Sequence, residues 1–260
     1  MIDPLKKLEV NVVHLYHPNV RSLEGTTIAH VTDLHVGPWV RPRHVERIVS
    51  IVNDRNVDIV ALTGDYVGYR ARTFAECVGE LKKLHAPTYA VLGNHDHWAS
   101  TDIAVETFKG SGITLLRNAH TTVSTENGDF QLVGVDDAVT KNDDVHAAHR
   151  LTESDDFVLT LNHVPELANA CIEHGADVVL SGHTHGLQFN LRGADRVARR
   201  FGMEYIAGGF VIDDGLLYVS RGLGSASWPR RIRANPEIVI YQLYHSERPA
   251  FKQVSSQGQR

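Results

Sequence analysis

Two cysteines in 260 residues, Cys77 and Cys171, are too few for a disulfide framework in a chain of this length. Both fall in segments that read as helical, and a pair of buried thiols is expected. Long apolar runs are also missing. Nothing approaches the ~18 consecutive apolar residues of a membrane-spanning helix, and the opening MIDPLKKLEV lacks the apolar stretch of a signal peptide. The cytoplasm is then the default compartment, with peripheral contact with a membrane left open. Positive charge is in deficit too: 26 Lys and Arg against 31 Asp and Glu leave a net charge of -5. No overall field draws polyanions, so no nucleic-acid partner is expected. Without a Pro/Gly-rich linker, a repeat or a low-complexity tract to divide it, the chain reads as one domain over 1–260.

Strand and helix signals alternate along most of the chain. TTIAHVT at 26–32 is a β-branched run that empties into the polar DLHVGP, a strand ending in a loop. Val45, Ile48, Val49 and Val52 recur at helical spacing within 45–56, and VDIVALT at 57–63 is a strand of the buried type, which completes a βαβ unit. The pattern continues with a helix within 73–84, a strand at 88–92, a helix within 101–109 and strands near 113–116 and 130–135. A strand at 157–161, a helix at 165–174 and a strand at 177–181 follow. YIAGGFVIDDGLLYVS then reads as two strands about an Asp-Asp-Gly turn, with EIVIYQLY as a third, and antiparallel pairing suits this end. Helices interspersed with so many strands predict an α/β layered architecture.

Histidine is plentiful, with 16 residues, and several stand at element ends. Five short segments each follow a predicted strand: Asp33-Leu34-His35, Gly64-Asp65, Gly93-Asn94-His95-Asp96, Asn162-His163 and Gly182-His183-Thr184-His185-Gly186. Loops leaving the carboxyl ends of strands meet at one edge of an α/β sheet, so these segments are expected to converge. The candidate metal ligands are Asp33, His35, Asp65, Asn94, His163, His183 and His185. Nitrogen and oxygen donors of this kind suit Mn, Zn, Fe or Co better than Ca or Mg. Seven donors are too many for one tetrahedral ion and about right for two divalent metal ions sharing a carboxylate. Alternate residues at a strand end project the same way, which is expected to aim both members of Asp-x-His and His-x-His at the metals. Gly64, Gly93, Gly182 and Gly186 allow sharp turns and close backbone approach.

The ordered set D-x-H, G-D, G-N-H-D, a lone H and G-H-x-H resembles the calcineurin-like metallophosphoesterase superfamily, over residues 33–186. SRGLG at 220–224 and NPEI at 235–238 resemble one bacterial branch, which includes membrane-associated phosphodiesterases and enzymes that cleave the pyrophosphate of UDP-diacylglucosamine. The resemblance implies an α/β fold of two central mixed β-sheets packed as a sandwich, with helices on both outer faces. It implies one ion on Asp33, His35 and His185, a second on Asn94, His163 and His183, and Asp65 between them. The implied activity is that of a phosphodiesterase or pyrophosphatase, by in-line attack of a metal-bridging hydroxide on a phosphate ester, nucleotide-linked or lipid-linked.

His95 adjoins Asn94, and it is read as the general acid that protonates the leaving group, oriented by Asp96. His97, Trp98 and Trp39 are candidates for pocket walls or for loop-edge packing. His30, inside a strand, reads as a hydrogen-bonded core residue. His14, His17, His44, His85, His120, His146, His149, His174 and His245 lack ligand spacing and read as surface groups. Arg192, Arg196, Arg199 and Arg200, with Arg221, Arg230, Arg231 and Arg233, are either a solvated face or an anion-binding group. Leu187, Phe189 and Leu191 alternate with polar residues, in contact with a lipid or as one buried face of a strand. Two further readings remain: a phosphomonoesterase or nuclease of the same fold, and a metal-binding interaction scaffold without catalysis. Intact Asn94, His95, His183 and His185 favour a working enzyme over the scaffold.

Overall fold

Strands that are apolar at every position need cover on both faces, and this chain supplies it with two sheets back to back and helices outside each. The structure, a computed structural model, describes residues 3–150, 156–225, 228 and 230–258. Met1 and Ile2 of the N-terminal segment, and both ends of the 1–260 domain reading, lie outside the described residues. In chain order the first half contains β1 (Glu9–His17), β2 (Thr27–Val31), α1 (Pro42–Asn53), β3 (Ile59–Thr63), α2 (Phe74–Leu81), β4 (Thr88–Val91), α3 (Asn94–Phe108) and β5 (Ile113–Leu115). The second half begins with β6 (Ala119–Ser124), β7 (Asp129–Gly134), α4 (Val145–His149), β8 (Val158–Leu161), α5 (Ala168–Glu173) and β9 (Val178–Ser181). It ends with α6 (Ala194–Arg200), β10 (Gly208–Ile212), β11 (Gly215–Val219), β12 (Glu237–His245) and β13 (Ala250–Gly258).

One sheet has the order β13-β1-β12-β2-β3-β4-β5 and the other β10-β11-β9-β8-β7-β6. Both are mixed, as expected: β2 through β5 pair in parallel, β12 runs antiparallel to β2, and β10 antiparallel to β11. Side-chain alternation divides each strand between two cores. Ile59 and Ala61 of β3 meet Leu159, Leu161, Val178 and Leu180 in the layer between the sheets, while Val60 and Leu62 pack outward with Val45, Ile48, Phe74 and Cys77 from α1 and α2. Val179, Leu217 and Val219 face the other way, onto Ala168 and Cys171 of α5. Cys77 and Cys171 are free thiols in these two outer layers.

Three sequence expectations are corrected. EIVIYQLY does not extend the β10–β11 pair; it forms β12 in the opposite sheet, between β1 and β2. The helix expected within 101–109 begins at Asn94 and breaks at Ser100, whose φ of 174° and ψ of 113° are extended. The GNHDH segment therefore runs into a helical turn rather than a loop, because the Asp96 carboxylate accepts the Gly93 amide at 2.9 Å and caps that turn. The strand alternation at Leu187–Leu191 also fails, since Leu187 and Gln188 adopt left-handed backbone, with φ of 64° and 42°. β1, β6, β13, α4 and α6 add to the elements expected from the sequence. β6, with one buried side chain in Val123, and β13 are edge strands that need little apolar patterning.

Candidate metal centre

Asp33 and His35 follow the end of β2, Asp65 follows β3, Asn94 opens α3 after β4, His163 follows β8, and His183 and His185 follow β9. Parallel pairing sends these ends to one edge of each sheet. The two edges meet where His163 Nδ1 donates to the Thr63 carbonyl at 2.7 Å. They meet again where the His183 amide donates to the Asp33 carboxylate, 3.2 Å from either oxygen.

All seven candidate ligands converge there. Asp33 Oδ1 lies 3.3 Å from His185 Nε2 and 3.8 Å from His35 Nε2, and those two nitrogens are 3.0 Å apart. On the other side His183 Nδ1 lies 3.1 Å from Asn94 Oδ1 and 3.2 Å from His163 Nε2. Asp65 Oδ2 sits between the groups, 3.4 Å from His35 Nε2 and 3.3 Å from His163 Nε2. Donor atoms at ~2.0–2.2 Å from a shared cation stand roughly 3.0–3.5 Å from one another at the corners of a tetrahedron or octahedron. Most of the measured separations fall in that interval, so the residues present fit a metal. Ligand-type atoms of Asp33, His35 and His185, and separately of Asp33, Asp65 and His163, lie within 4.8 Å of one another. His35, Asp65 and His95 satisfy the same limit.

Strand alternation is not what aims these side chains. Asp33, His35, Asp65, His183 and His185 have φ of 54°, 49°, 56°, 72° and 52°, the left-handed region that non-glycine residues avoid. These five donors are presented by contorted turns just beyond their strands, and the two-residue spacing works through the turn, whereas Asn94 opens α3. Neighbouring backbone leaves little space. A β-carbon on Gly93 would collide with the Asp65 carboxylate, and one on Gly222 would meet the Asp33 side chain. Gly222 belongs to SRGLG, which the structure thus places against the cluster, in a loop where the Leu223 amide donates to the Thr32 carbonyl at 3.1 Å.

Burial and crowding distort the charges. Burial opposes ionisation of Asp65, but His163, with His35 and His95, holds its carboxyl far below the usual range. Against its own burial, His163 is pushed up to about 10 by Asp65. His35 goes the other way, down to about 3, because burial outweighs Asp65. Burial also lowers His183 and His185, the latter helped by the adjacent Arg231. The cluster thus sets His163, held basic by Asp65, against His35, His183 and His185, whose neutral forms burial favours.

His95 lies beside the donors with its Nδ1 on the Gly68 carbonyl at 2.5 Å and its amide donating to Asp65 Oδ1 at 2.9 Å. Its ring packs edge-on against His35, Tyr69 and Trp98, with centroids 4.7, 4.8 and 4.9 Å away. The expected orienting contact from Asp96 is absent. Its buried carboxylate accepts the amides of Asp65 at 2.8 Å and of Tyr66 and Gly93 at 2.9 Å. Asp96 thereby braces the turn that carries Asp65, and the Gly68 carbonyl takes the role on His95. Burial and the Asp65 charge push the Asp96 acid upward, against the pull of the Gly93 and Val67 amides. Asp96→Ala strands buried donors at ~1–3 kcal/mol each; a loss of about 3 kcal/mol or more in thermal unfolding is expected, and an unchanged melting temperature would count against the bracing role.

The remaining residues sort by their contacts. His97 is tied to Asp136 at 2.7 Å and Thr101 at 2.9 Å and is a packing residue, whereas Trp98 stands beside His95 at the rim. His30 is a satisfied core residue, bonded to Thr63 at 2.8 Å and Tyr241 at 3.1 Å, and burial pushes it down to about 3. His17, His44 and His149 are buried, contrary to the surface reading. Arg221 and Arg231 do not belong to a solvated group: Arg221 pairs with Glu237 at 2.5 Å and Glu9 at 2.8 Å. Arg231 donates to the Gly224 carbonyl at 2.5 Å and lies 3.0 Å from His185 Nδ1. Tyr69 was missed for want of any local motif; only the turn after β3 brings it onto His95.

A two-sheet sandwich that gathers carboxylate, amide and imidazole donors at the carboxyl ends of its strands defines a metal-dependent hydrolase. The chain belongs to the calcineurin-like phosphoesterase family, whose model matches residues 26–187, and it is a metal-dependent phosphoester hydrolase. It is 27% identical over 228 residues to the uncharacterized metallophosphoesterase YkuE of Bacillus subtilis, covering 85% of this chain and 79% of that protein. It is 29% identical over 227 residues to the phosphodiesterase YaeI of Escherichia coli, covering 83% and 81%. A dimetal phosphatase from Danio rerio shares the fold, with a TM-score of 0.53 at 12% identity over 90% of this chain and 98% of that one. Among the described residues no helix is long and apolar enough to cross a membrane.

Proposed function

We propose that the protein is a phosphodiesterase working through two divalent ions, one held by Asp33, His35 and His185 and the other by Asn94, His163 and His183, with Asp65 shared. The observation that carries this reading is the position of Asp65 Oδ2, 3.4 Å from a nitrogen of one group and 3.3 Å from a nitrogen of the other. Bound there, divalent cations supply a water activated near neutral pH and positive charge for the phosphoryl oxygens. The protein's part is to fix the seven donors, five of them on left-handed turns, with the Asp65 turn braced by Asp96 and close backing from Gly93 and Gly222, so that little reorganisation accompanies the reaction. His95, steered by the Gly68 carbonyl, presents its other ring nitrogen to the departing oxygen as general acid. The similarity to YaeI, a phosphodiesterase by name, supports a diester over a monoester. Mn, Zn, Fe and Co all suit this donor set, and the substrate proposed is a nucleotide-linked or a lipid-linked phosphodiester.

The test is hydrolysis of bis-p-nitrophenyl phosphate and p-nitrophenyl phosphate after reconstitution with each metal in turn. Faster turnover of the diester is expected; faster turnover of the monoester would overturn the substrate class. Metal loading has its own signature. His163, raised to about 10, is protonated at pH 7 in the free protein, and a ligand imidazole must be neutral. Uptake should therefore release about one proton per chain from this ring and strengthen as pH rises. A titration in weakly buffered solution that shows no acidification would exclude His163 as a displaced imidazolium.

A further inference from the structure

Beyond His185 the chain passes through the Gly186–Leu187 turn and then exposes apolar side chains beside the metal-donor edge. Leu191, Val197 and Phe201 are 58%, 56% and 83% exposed. Single exposed apolar residues are ordinary, but these line one groove of about 620 Å³ together with Phe189 and Met203. A second groove, of about 700 Å³, shares Phe189 and adds Trp228, Ile232, Lys6, Lys7 and Arg230. The two join through the Asn190 amide, which donates to the Ile232 carbonyl at 3.0 Å. Arg231, between Arg230 and Ile232 in the chain, touches His185 at 3.0 Å, so this surface is continuous with the rim of the metal centre.

Charge follows the apolar residues step by step. Arg192 adjoins Leu191, Arg196 adjoins Val197 and Arg200 adjoins Phe201. All three arginines are exposed, and the arginine ion pairs found among the described residues engage Arg47, Arg117 and Arg221 instead. A purely electrostatic ligand has no use for Phe201, and protein interfaces are depleted of lysine, whereas Lys6 and Lys7 line the second groove. Apolar tips interleaved with guanidinium groups match a headgroup boundary, where stems and rings enter the acyl layer and the cations meet lipid phosphates. The net charge of -5 makes the basic face a local feature that complements an anionic surface.

We propose that this face docks the protein on an anionic lipid bilayer, which sets the metal-donor edge at the membrane surface. Its consequence for catalysis, a phosphodiester presented on a lipid, rests on the phosphodiesterase reading; docking itself does not. The experiment is flotation of the full chain with phosphatidylcholine vesicles, with and without phosphatidylglycerol, in metal-loaded and metal-stripped form. Binding to the phosphatidylglycerol vesicles, released by salt, is expected. It should weaken about tenfold or more in Leu191→Ser/Phe201→Ser and in Arg196→Glu/Arg200→Glu, with melting temperatures unchanged. No flotation, equal binding by the variants, or equal binding to vesicles of phosphatidylcholine alone would overturn the proposal. So would lipid-free self-association that Phe201→Ser abolishes, since the face would then serve a second copy of the chain. Because stripped protein is included, failed turnover with intact flotation would sink only the phosphodiesterase reading.

Discussion

If two ions share Asp65, as proposed, Asp65→Asn should sharply lower turnover of bis-p-nitrophenyl phosphate and reduce the metal content to one ion per chain or fewer. The substitution keeps the shape of the side chain and the acceptor for the His95 amide, which is 2.9 Å from Oδ1. It removes the negative charge from the position between His35 and His163. Without that carboxylate, two cations held by the flanking groups would lack the anion that offsets their mutual repulsion in a buried site. A loss of at least ~10²- to 10³-fold in kcat is expected, the scale on which single electrostatic contacts to a transition state act. Elemental analysis of protein dialysed against excess Mn or Zn, with steady-state kinetics, checks both parts. Two tightly held equivalents in Asp65→Asn would remove the basis for placing the carboxylate between the ions.

His95→Ala should give the converse result: metal retained, turnover down by ~10²- to 10⁴-fold, as for loss of a general acid. The ring touches His35, Tyr69 and Trp98, and its Nδ1 is engaged by the Gly68 carbonyl, so removing it leaves the seven donors in place. The size of the effect should depend on the leaving group. p-Nitrophenolate is weakly basic and departs with little help, whereas an alkoxide needs the proton, so the defect should be larger on an alkyl phosphodiester. An equal loss on both, or a loss matched by metal depletion, would reassign His95 to holding the site together.

Recovering a structural role from sequence depended on whether its cause was local. His30 and His163 both lie at or near a strand end, yet one is a core residue bonded to Tyr241 and the other sits among the donors. Order along the chain distinguished them, because His163 follows its strand while His30 lies within one. His17, His44 and His149 were misplaced on the surface, since their burial comes from segments distant in the chain. The orienting role given to Asp96 followed from adjacency to His95, whereas a helical turn points successive side chains in different directions. Its carboxylate instead reaches the amides of Asp65 and Tyr66, which only the pairing of β3 with β4 brings near.

The amino-acid order alone determined the alternation of strands and helices, the donor chemistry of the seven residues and their location just beyond strand ends, because periodicity and residue type are local properties. How the donors divide about Asp65 was decided only when two sheets packed face to face, which brought the ends of β2, β3 and β4 against those of β8 and β9. Left-handed turns, the brace from Asp96 and the contacts of Tyr69 and Arg231 depend on neighbours remote in the chain. The burial that makes His35 acidic, and the Asp65 carboxylate that makes His163 basic against its own burial, are likewise set by packing, and no single segment encodes them.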